Sequence, residues 1–210
     1  MSIKAVLWDF GGVILTSPFE AFAKYEAERG LPDGFIRRVN STEPDTNAWA
    51  RLERSELSGA GFDAAFAAEA TALGHEVPGR DVLAILLGSV RPEMVVALDS
   101  VKSAGLATAC LTNNISGEYD RPDVEDVMRR FDVVVESSKV GVRKPEPRFY
   151  EIACELLGVE PPECVFLDDL GINLKPAKAM GMTTIKVGDP VVAIAELESV
   201  LGLTLAGGGA

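Results

Sequence analysis

Histidine, cysteine and positive charge are all scarce in this sequence. One histidine and three cysteines stand among 210 residues, and 20 basic residues face 32 acidic ones, for a net charge of −12. The cysteines Cys110, Cys154 and Cys164 show no paired spacing and lie in apolar stretches, so we interpret them as reduced and structural, with no zinc site. A surface this acidic repels phosphate backbones and anionic lipids, which makes nucleic acid and membrane poor candidates as partners.

Long apolar runs are also missing. The longest uninterrupted run covers residues 82–87, whereas a membrane span needs about 18 or more. The first residues lack the basic region, apolar stretch and cleavage site of a secretory signal, so we expect a cytoplasmic protein. With 47% hydrophobic and 25% charged residues, the composition is that of an ordinary globular chain, and the length fits one large domain or a domain with an insertion.

Strand and helix patterns alternate over most of the chain. Short apolar runs bounded by polar residues or glycine predict buried strands at 3–8, 106–111, 132–135, 164–167 and 183–187. Helical patterns lie among them at 92–103, 122–130, 147–157, 170–180 and 190–201, several beginning with proline and ending at glycine. This alternation predicts an α/β fold, a parallel sheet sandwiched by helices.

Residues 16–91 break the alternation. Helical patterns without a convincing strand between them predict helices near 19–31, 48–57, 60–73 and 80–87. We therefore expect a core domain of residues 1–15 and 92–205, an all-helical cap of residues 16–91 inserted after the first strand, and a disordered glycine-rich tail at 206–210. The cap would form a lid over the site, since it emerges beside the end of that strand.

Polar residues follow the carboxyl ends of the predicted strands, where open parallel sheets bind ligands. They are Asp9, Thr112, Asn113, Lys144, Asp168 and Asp169. Taken singly, each has a structural explanation as a turn residue, a helix cap or a solvated cation. Together they supply a nucleophile, donors to phosphoryl oxygens, a fixed cation and ligands for a hard metal.

Four segments of the sequence carry a family resemblance. DFGGV (9–13), LTNN (111–114), KVGVRKPEPRFY (139–150) and VFLDDLGINLKPAKAMGMTTIKV (165–187) resemble, in order and spacing, the four motifs of the haloacid dehalogenase superfamily. The chain is most similar to the N-terminal phosphatase domain of soluble epoxide hydrolases and the related domain of acyl-CoA dehydrogenase fusions. This resemblance implies a Rossmann-like core with a helical cap of the C1 type, although the insertion resembles that cap only in kind.

The resemblance implies a hydrolase that uses Mg²⁺ to act on a small phosphorylated metabolite, as a monomer or homodimer. Asp9 would attack phosphorus and become an aspartyl-phosphate. The Asp9 carboxylate, the Gly11 backbone carbonyl and the Asp169 carboxylate would hold the metal. Asp168 would support the metal from beside it, and Asn173 would hold a water in the second shell.

The same resemblance assigns the phosphoryl site. The phosphoryl oxygens would be bound by Phe10, Gly11, Thr112 and Asn113. Lys144 would neutralise charge on both Asp9 and the phosphoryl group. Such positioning and charge compensation are what an in-line phosphoryl transfer requires.

One position departs from the family pattern. Phosphatases of the family carry a second aspartate two residues after the nucleophile, as general acid and base, and here that residue is Gly11. A cap glutamate or His75 is a possible replacement. Two alternatives stay open: a haloacid dehalogenase, whose nucleophile attacks carbon without a metal, and a catalytically silent binding domain. Epoxide hydrolysis is not implied, because it belongs to a separate domain of the fusion proteins.

Other cap residues are typical of structural roles. Trp49 and Phe62 fit the cap core better than a substrate platform, because the cap must bury something. Four arginines fit exposed helix faces better than a substrate clamp, namely Arg37, Arg38, Arg51 and Arg54.

Overall fold

A computed structural model of the protein describes residues 2–86, 88–114 and 121–205. The expected tail at 206–210 lies outside these ranges. None of the helices within them combines the length and the apolar character that crossing a bilayer requires.

The described chain contains a five-stranded parallel sheet in the order β3-β2-β1-β4-β5. The strands are β1 Ala5–Trp8, β2 Ala107–Thr112, β3 Val133–Glu136, β4 Cys164–Asp168 and β5 Thr183–Lys186. Every residue of β1 and β4 is buried, as expected of central strands that are covered on both faces. The predicted α/β fold with a parallel sheet is confirmed, and each strand lies within two residues of its predicted bounds.

Helices cover both faces of the sheet. They are α6 Pro92–Ser103, α7 Pro122–Met128, α8 Ser137–Val140, α9 Pro147–Leu157, α10 Gly171–Ala179 and α11 Pro190–Leu201. One apolar cluster joins α6, α7 and α11 to the face that carries Trp8, and a second joins α9 and α10 to the face that carries Leu7. Because alternate residues of a strand point to opposite faces, β1 contributes to both clusters.

The inserted segment after β1 is helical, and a third apolar cluster holds it together. Its helices are α1 Phe19–Arg29, α2 Phe35–Ser41, α3 Ala48–Glu53, α4 Gly59–Ala72 and α5 Gly79–Ala84. Helix α2 is not predicted from the sequence, because glycine and proline precede this short helix and hide its period. The predicted helix 48–57 is also too long, since α3 ends at Glu53 and Ser55 takes a positive φ of 60°.

The chain enters and leaves the helical insertion side by side. Leu15 and Val90 form an antiparallel bridge, and the flanking backbone hydrogen bonds, Arg91 N to Ile14 O and Thr16 N to Ser89 O, are each 2.8 Å long. Both connections between the sheet and the insertion lie next to the end of β1. This arrangement places the insertion over the carboxyl edge of the sheet.

The strand order determines where a site forms. β1 pairs with β2 on one side and β4 on the other, and Trp8 lies in register with Cys110 and Leu167. The chain therefore reverses its direction of winding at β1, which is where open α/β sheets bind ligands. The residues that follow β1, β2 and β4 meet at this point.

Candidate active site

Asp9 directly follows β1, and its backbone N–H donates to Leu167 O of β4 at 2.8 Å. The Asp9 side chain is buried, with the residue 7% exposed, and Oδ1 accepts from the backbone N–H of Phe10 at 2.6 Å. The Phe10 side chain is fully buried in the core, so only the backbone of Phe10 can contribute to the site. The carboxylate is thus held at the sheet edge by the strand and the turn that follows it.

Lys144 joins two carboxylates in the interior. Its Nζ lies 2.7 Å from Asp9 Oδ1 and 2.8 Å from Asp168 Oδ2, and the residue is 1% exposed. Burial alone would lower the pKa of Lys144, but the charges of Asp168 and Asp9 raise it above its ordinary value. Lys144 is therefore a fixed positive charge at neutral pH.

Asp168 ends β4, and donors from the protein surround its carboxylate. Oδ1 accepts from Leu170 N at 2.8 Å, and Asn173 Nδ2 contacts Oδ1 and Oδ2 at 3.1 and 3.0 Å. With Lys144 on Oδ2, both oxygens are engaged. Asp168 therefore orients Lys144, and the side-chain amide of Asn173, which we expected to hold a water, is directed at Asp168.

Asp169 lies against the loop after β1. A Cβ added to Gly12 would stand 2.3 Å from Asp169 Oδ2, so the carboxylate occupies the space that a side chain there would fill. The φ of Gly12 is +78°, which favours glycine as well. Gly12 thus permits Asp169 to approach the turn that carries Asp9.

Asp9, Asp168 and Asp169 form an acidic cluster whose ligand oxygens lie within 4.8 Å of one another. Burial and then the Asp168 charge raise the pKa of Asp9 above its usual range. The same two causes raise the pKa of Asp169 to about 6. Lys144 only partly compensates the cluster, so the arrangement favours binding of a cation.

Three of the predicted phosphoryl-binding residues, Gly11, Asn113 and Lys144, line one cavity together with Asp9. Thr112, at the end of β2, is 1% exposed. The Asn113 side chain bonds the backbone of Lys144 in both directions, with Nδ2 donating to Lys144 O at 2.9 Å and Oδ1 accepting from Lys144 N at 2.8 Å. This amide therefore fixes the Lys144 loop, a role that the sequence analysis did not assign to it.

A cavity of about 410 Å³ lies between the sheet edge and the helical insertion. From the core it is lined by Asp9, Gly11, Asn113, Arg143, Lys144 and Asp169. From the insertion its walls include Phe19, Phe22, Arg37, Asn40, Trp49 and Glu53. Such a volume accommodates a small organic molecule.

Two cap residues, Trp49 and Arg37, line the cavity in addition to the structural positions expected of them, and Arg37 is exposed as predicted. Phe62 is buried in the cap core, as expected. Trp49 packs against Phe62, with ring centroids 5.7 Å apart, but it also lines the cavity. Arg37 lines the cavity too, with its guanidinium 4.9 Å from the centre of the Phe19 ring. His75 packs against Phe35 at 4.9 Å, and it is not among the residues that line this cavity.

Glu53 is a buried cavity residue that the sequence analysis did not single out. It is 5% exposed, and burial raises its pKa although the charge of Arg143 lowers it. Trp49 Nε1 donates to Glu53 Oε1 at 2.9 Å. The sequence indicates a functional role for Glu53 only weakly. The insertion contains many glutamates, and a position at the end of a helix does not mark one of them as functional.

The model of the haloacid dehalogenase-like hydrolases matches residues 3–181 of this sequence. The chain belongs to this family. The expected resemblance to the domains found in epoxide hydrolases and acyl-CoA dehydrogenase fusions is confirmed by two mouse proteins. Acyl-CoA dehydrogenase family member 10 is 35% identical over 97% of this chain and 20% of its own length. Bifunctional epoxide hydrolase 2 is 31% identical over 96% and 39%.

The chain thus spans between about a fifth and two fifths of the length of these two relatives. A relative of similar length is the sesquiterpene phosphatase astK of Aspergillus oryzae, 26% identical over 96% of this chain and 98% of that protein. Among solved structures, a Bacteroides thetaiotaomicron enzyme of the family, in complex with magnesium and inorganic phosphate, has a TM-score of 0.60 at 21% identity, covering 90% of this chain and 96% of that one. It shows the same fold.

Proposed function

We propose that this hydrolase is a Mg²⁺-dependent phosphatase that acts on a small phosphorylated metabolite through an aspartyl-phosphate on Asp9. The observation that carries the proposal is the cluster of Asp9, Asp168 and Asp169 beside a single buried lysine. Three carboxylates exceed the charge that Lys144 neutralises, and a hard divalent cation with oxygen ligands would neutralise the remainder. A family relative of similar length that is named a phosphatase supports this interpretation.

The residues present fit Mg²⁺. The Asp9 carboxylate, the Gly11 backbone carbonyl and the Asp169 carboxylate offer oxygen ligands only, which suits a hard cation. Both carboxylate oxygens of Asp168 already accept hydrogen bonds, from Lys144, Leu170 and Asn173, so Asp168 is not among the proposed metal ligands. When bound, Mg²⁺ supplies positive charge that shields the carboxylates from the incoming phosphoryl oxygens.

The contacts of Asp9 indicate a different role for each of its two carboxylate oxygens. Oδ1 is held by Phe10 N–H and Lys144 Nζ, so we assign Oδ2 as the atom that attacks phosphorus. The bond from Oδ2 to phosphorus forms as the ester oxygen leaves. Lys144 stabilises the negative charge that the reacting group carries. Water then attacks phosphorus, releases inorganic phosphate and restores the Asp9 carboxylate.

The acidic cluster also weighs against the dehalogenase alternative. A haloacid carries its own carboxylate, and Asp168 and Asp169 beside the nucleophile would repel it in the absence of a cation. A dehalogenase reaction needs no metal, whereas the phosphatase reaction at this site does. Metal dependence therefore separates the two.

The test is a screen of aryl, sugar and alkyl phosphates and of 2-haloacids, with Mg²⁺ and with EDTA. We expect release of inorganic phosphate that requires Mg²⁺ and is lost in an Asp169→Asn variant, because that change weakens a metal ligand without changing volume. Halide release in EDTA would replace the proposal with the dehalogenase. Turnover of neither class would replace it with the silent binding domain.

Metal binding has a pH signature of its own. The folded-state pKa of Asp169 is about 6, above its ordinary 3.8, so ionising Asp169 in the metal-free fold removes stability as the pH rises through this window. Mg²⁺ binds the ionised carboxylate and restores that stability. We expect Mg²⁺ to raise the melting temperature more at pH 7.5 than at pH 5. An equal rise at both values, or none, would contradict a site that contains Asp169.

A further inference from the structure

The end of α3 contacts the loop that carries Lys144. Three consecutive residues take part: Glu53 lies against Arg143, Arg54 Nη1 lies 3.9 Å from Glu146 Oε1, and Ser55 Oγ donates to Ser138 O at 3.0 Å. All three partners belong to residues 138–146, which connect β3 to α9. The insertion and the Lys144 loop therefore share a polar interface beside the cavity.

The contact between Glu53 and Arg143 is the most buried of the three. Arg143 Nε lies 2.5 Å from Glu53 Oε2, and the side chains are 14% and 6% exposed. Neither atom completes an aligned hydrogen bond within the described residues, so attraction between opposite charges holds the contact. We refer to Glu53 and Arg143 as the latch pair.

Both members of the latch pair are held on the cap side. Trp49 Nε1, one helical turn earlier, donates to Glu53 Oε1 at 2.9 Å and fixes the carboxylate on α3. Arg143 Nη1 donates to Pro44 O of the insertion at 3.0 Å. The Arg143 guanidinium thus has two partners in the cap, although its backbone belongs to the core.

Arg143 is the residue immediately before Lys144. The backbone of Lys144 is bonded on both sides by the Asn113 amide, and its Nζ lies 2.7 Å from Asp9 Oδ1. Because only one peptide unit separates Arg143 from Lys144, a shift of Arg143 also displaces this lysine. Small misplacements of a catalytic group cost large factors in rate, up to about a hundredfold for 1 Å.

We propose that Glu53 and Arg143 are positioning residues that couple the seating of the cap to the placement of Lys144. The inference rests on the proposed phosphatase function for its kinetic consequence, although the coupling itself is a property of the fold. Glu53 Oε2 is enclosed and Oε1 accepts from Trp49, so we infer that Glu53 acts through Arg143. The site is then fully assembled only when the cap lies on the loop.

The test compares Glu53→Gln with Glu56→Gln. Glutamine at 53 keeps the acceptor for Trp49 and removes the charge that holds Arg143, whereas Glu56 is exposed and pairs with Arg54 of its own segment at 2.7 Å. We expect Glu53→Gln to lower kcat by about tenfold or more on aryl and alkyl phosphates alike, with KM within about threefold, and Glu56→Gln to change neither. Hydrogen exchange in residues 141–146 should be faster in Glu53→Gln alone.

A double variant separates positioning from simple charge balance. Glu53→Gln leaves the Arg143 charge buried without its partner, which is destabilising, and adding Arg143→Gln removes that charge. We expect the double variant to recover melting temperature but not kcat. Recovery of both would overturn the proposal, as would a loss confined to alkyl phosphates, which would make Glu53 a proton donor.

Two further outcomes keep the inference testable. If Glu53→Gln does not fold, Arg143→Lys keeps the positive charge and drops the Pro44 contact, and we expect a smaller loss of kcat at unchanged KM; unchanged kcat would overturn the proposal. If the parent hydrolyses no phosphate ester, the proposed function fails. Hydrogen exchange then still decides the coupling, because unaltered exchange at 141–146 in Glu53→Gln would reject it.

Discussion

The core and the cap contribute to one cavity in different ways. Asp9, Thr112 and Asp168 each stand at the end of a strand, and backbone or lysine contacts fix the two carboxylates among them. Trp49, Arg37 and Glu53 reach the cavity from helices whose other faces build the cap core. The proposed reactive groups are thus placed by strand ends, whereas the cap wall of the cavity depends on how short helices pack. Substitutions in the core should therefore abolish turnover. Substitutions in the cap should alter substrate selection and the assembly of the site.

The largest expected effect is a loss of turnover from a substitution in the core. Asp9→Asn removes the proposed nucleophilic oxygen and a proposed metal ligand while keeping the volume, and we expect turnover of an aryl phosphate to fall by about 10⁴-fold or more. Burial and the Asp168 charge raise the pKa of Asp9, so the uncharged side chain relieves repulsion. The melting temperature without Mg²⁺ should therefore not fall. Retained phosphatase activity would refute the aspartyl-phosphate.

A matched pair of glycines gives the next effect. Gly12→Ala would put a Cβ 2.3 Å from Asp169 Oδ2 at a φ of +78°, so Asp169 must move and the backbone is strained. We expect about a hundredfold loss of turnover and weaker Mg²⁺ binding by calorimetry. Gly11→Ala is the control, because nothing lies within 4 Å of its added Cβ. Equal losses in both variants would show that the turn, and not Asp169, is the sensitive element.

The sequence is sufficient for the core because its signals are local. A buried apolar strand followed by a polar residue predicts both the strand and the edge where polar residues gather, and Asp9 lies close to both Lys144 and Asp169. Hydrogen-bond partners escaped the prediction. The amides of Asn113 and Asn173 bind Lys144 and Asp168, and this depends on how loops distant in sequence fold against each other.

The cap shows where sequence reasoning fails. Helix α2 was missed and α3 was drawn too long, because short helices carry little more than one turn of periodic signal. The latch pair joins residues that are far apart in sequence, so no spacing could reveal it. Cys154 and Cys164 likewise show no paired spacing, yet their Sγ atoms lie 4.0 Å apart between α9 and β4. Tertiary packing, and not local propensity, determines these contacts.

The smallest expected effect is a gain in turnover. It depends on the space beside Asp9 that Gly11, which has no side chain, leaves open. Gly11 has φ of −69° and ψ of 130°, an extended conformation that aspartate adopts without strain, and it lines the cavity beside Asp9. Gly11→Asp should therefore fold and place a carboxyl group where a leaving oxygen needs a proton. A positioned acid contributes typically 10²- to 10⁴-fold, but a further carboxylate beside the acidic cluster weakens the gain, so we expect roughly tenfold on alkyl phosphates.

The leaving group decides whether that gain is proton transfer. An alkoxide departs slowly without a proton, whereas a phenolate departs with little help, so aryl phosphates should gain less than alkyl phosphates from Gly11→Asp. Gly11→Asn is the control, since it has a similar volume and cannot donate a proton as an acid does. An equal gain in both variants would assign the effect to filled space. A folded Gly11→Asp variant that gains nothing on any ester, with a parent inactive on aryl phosphates as well, would leave binding as the function of this fold.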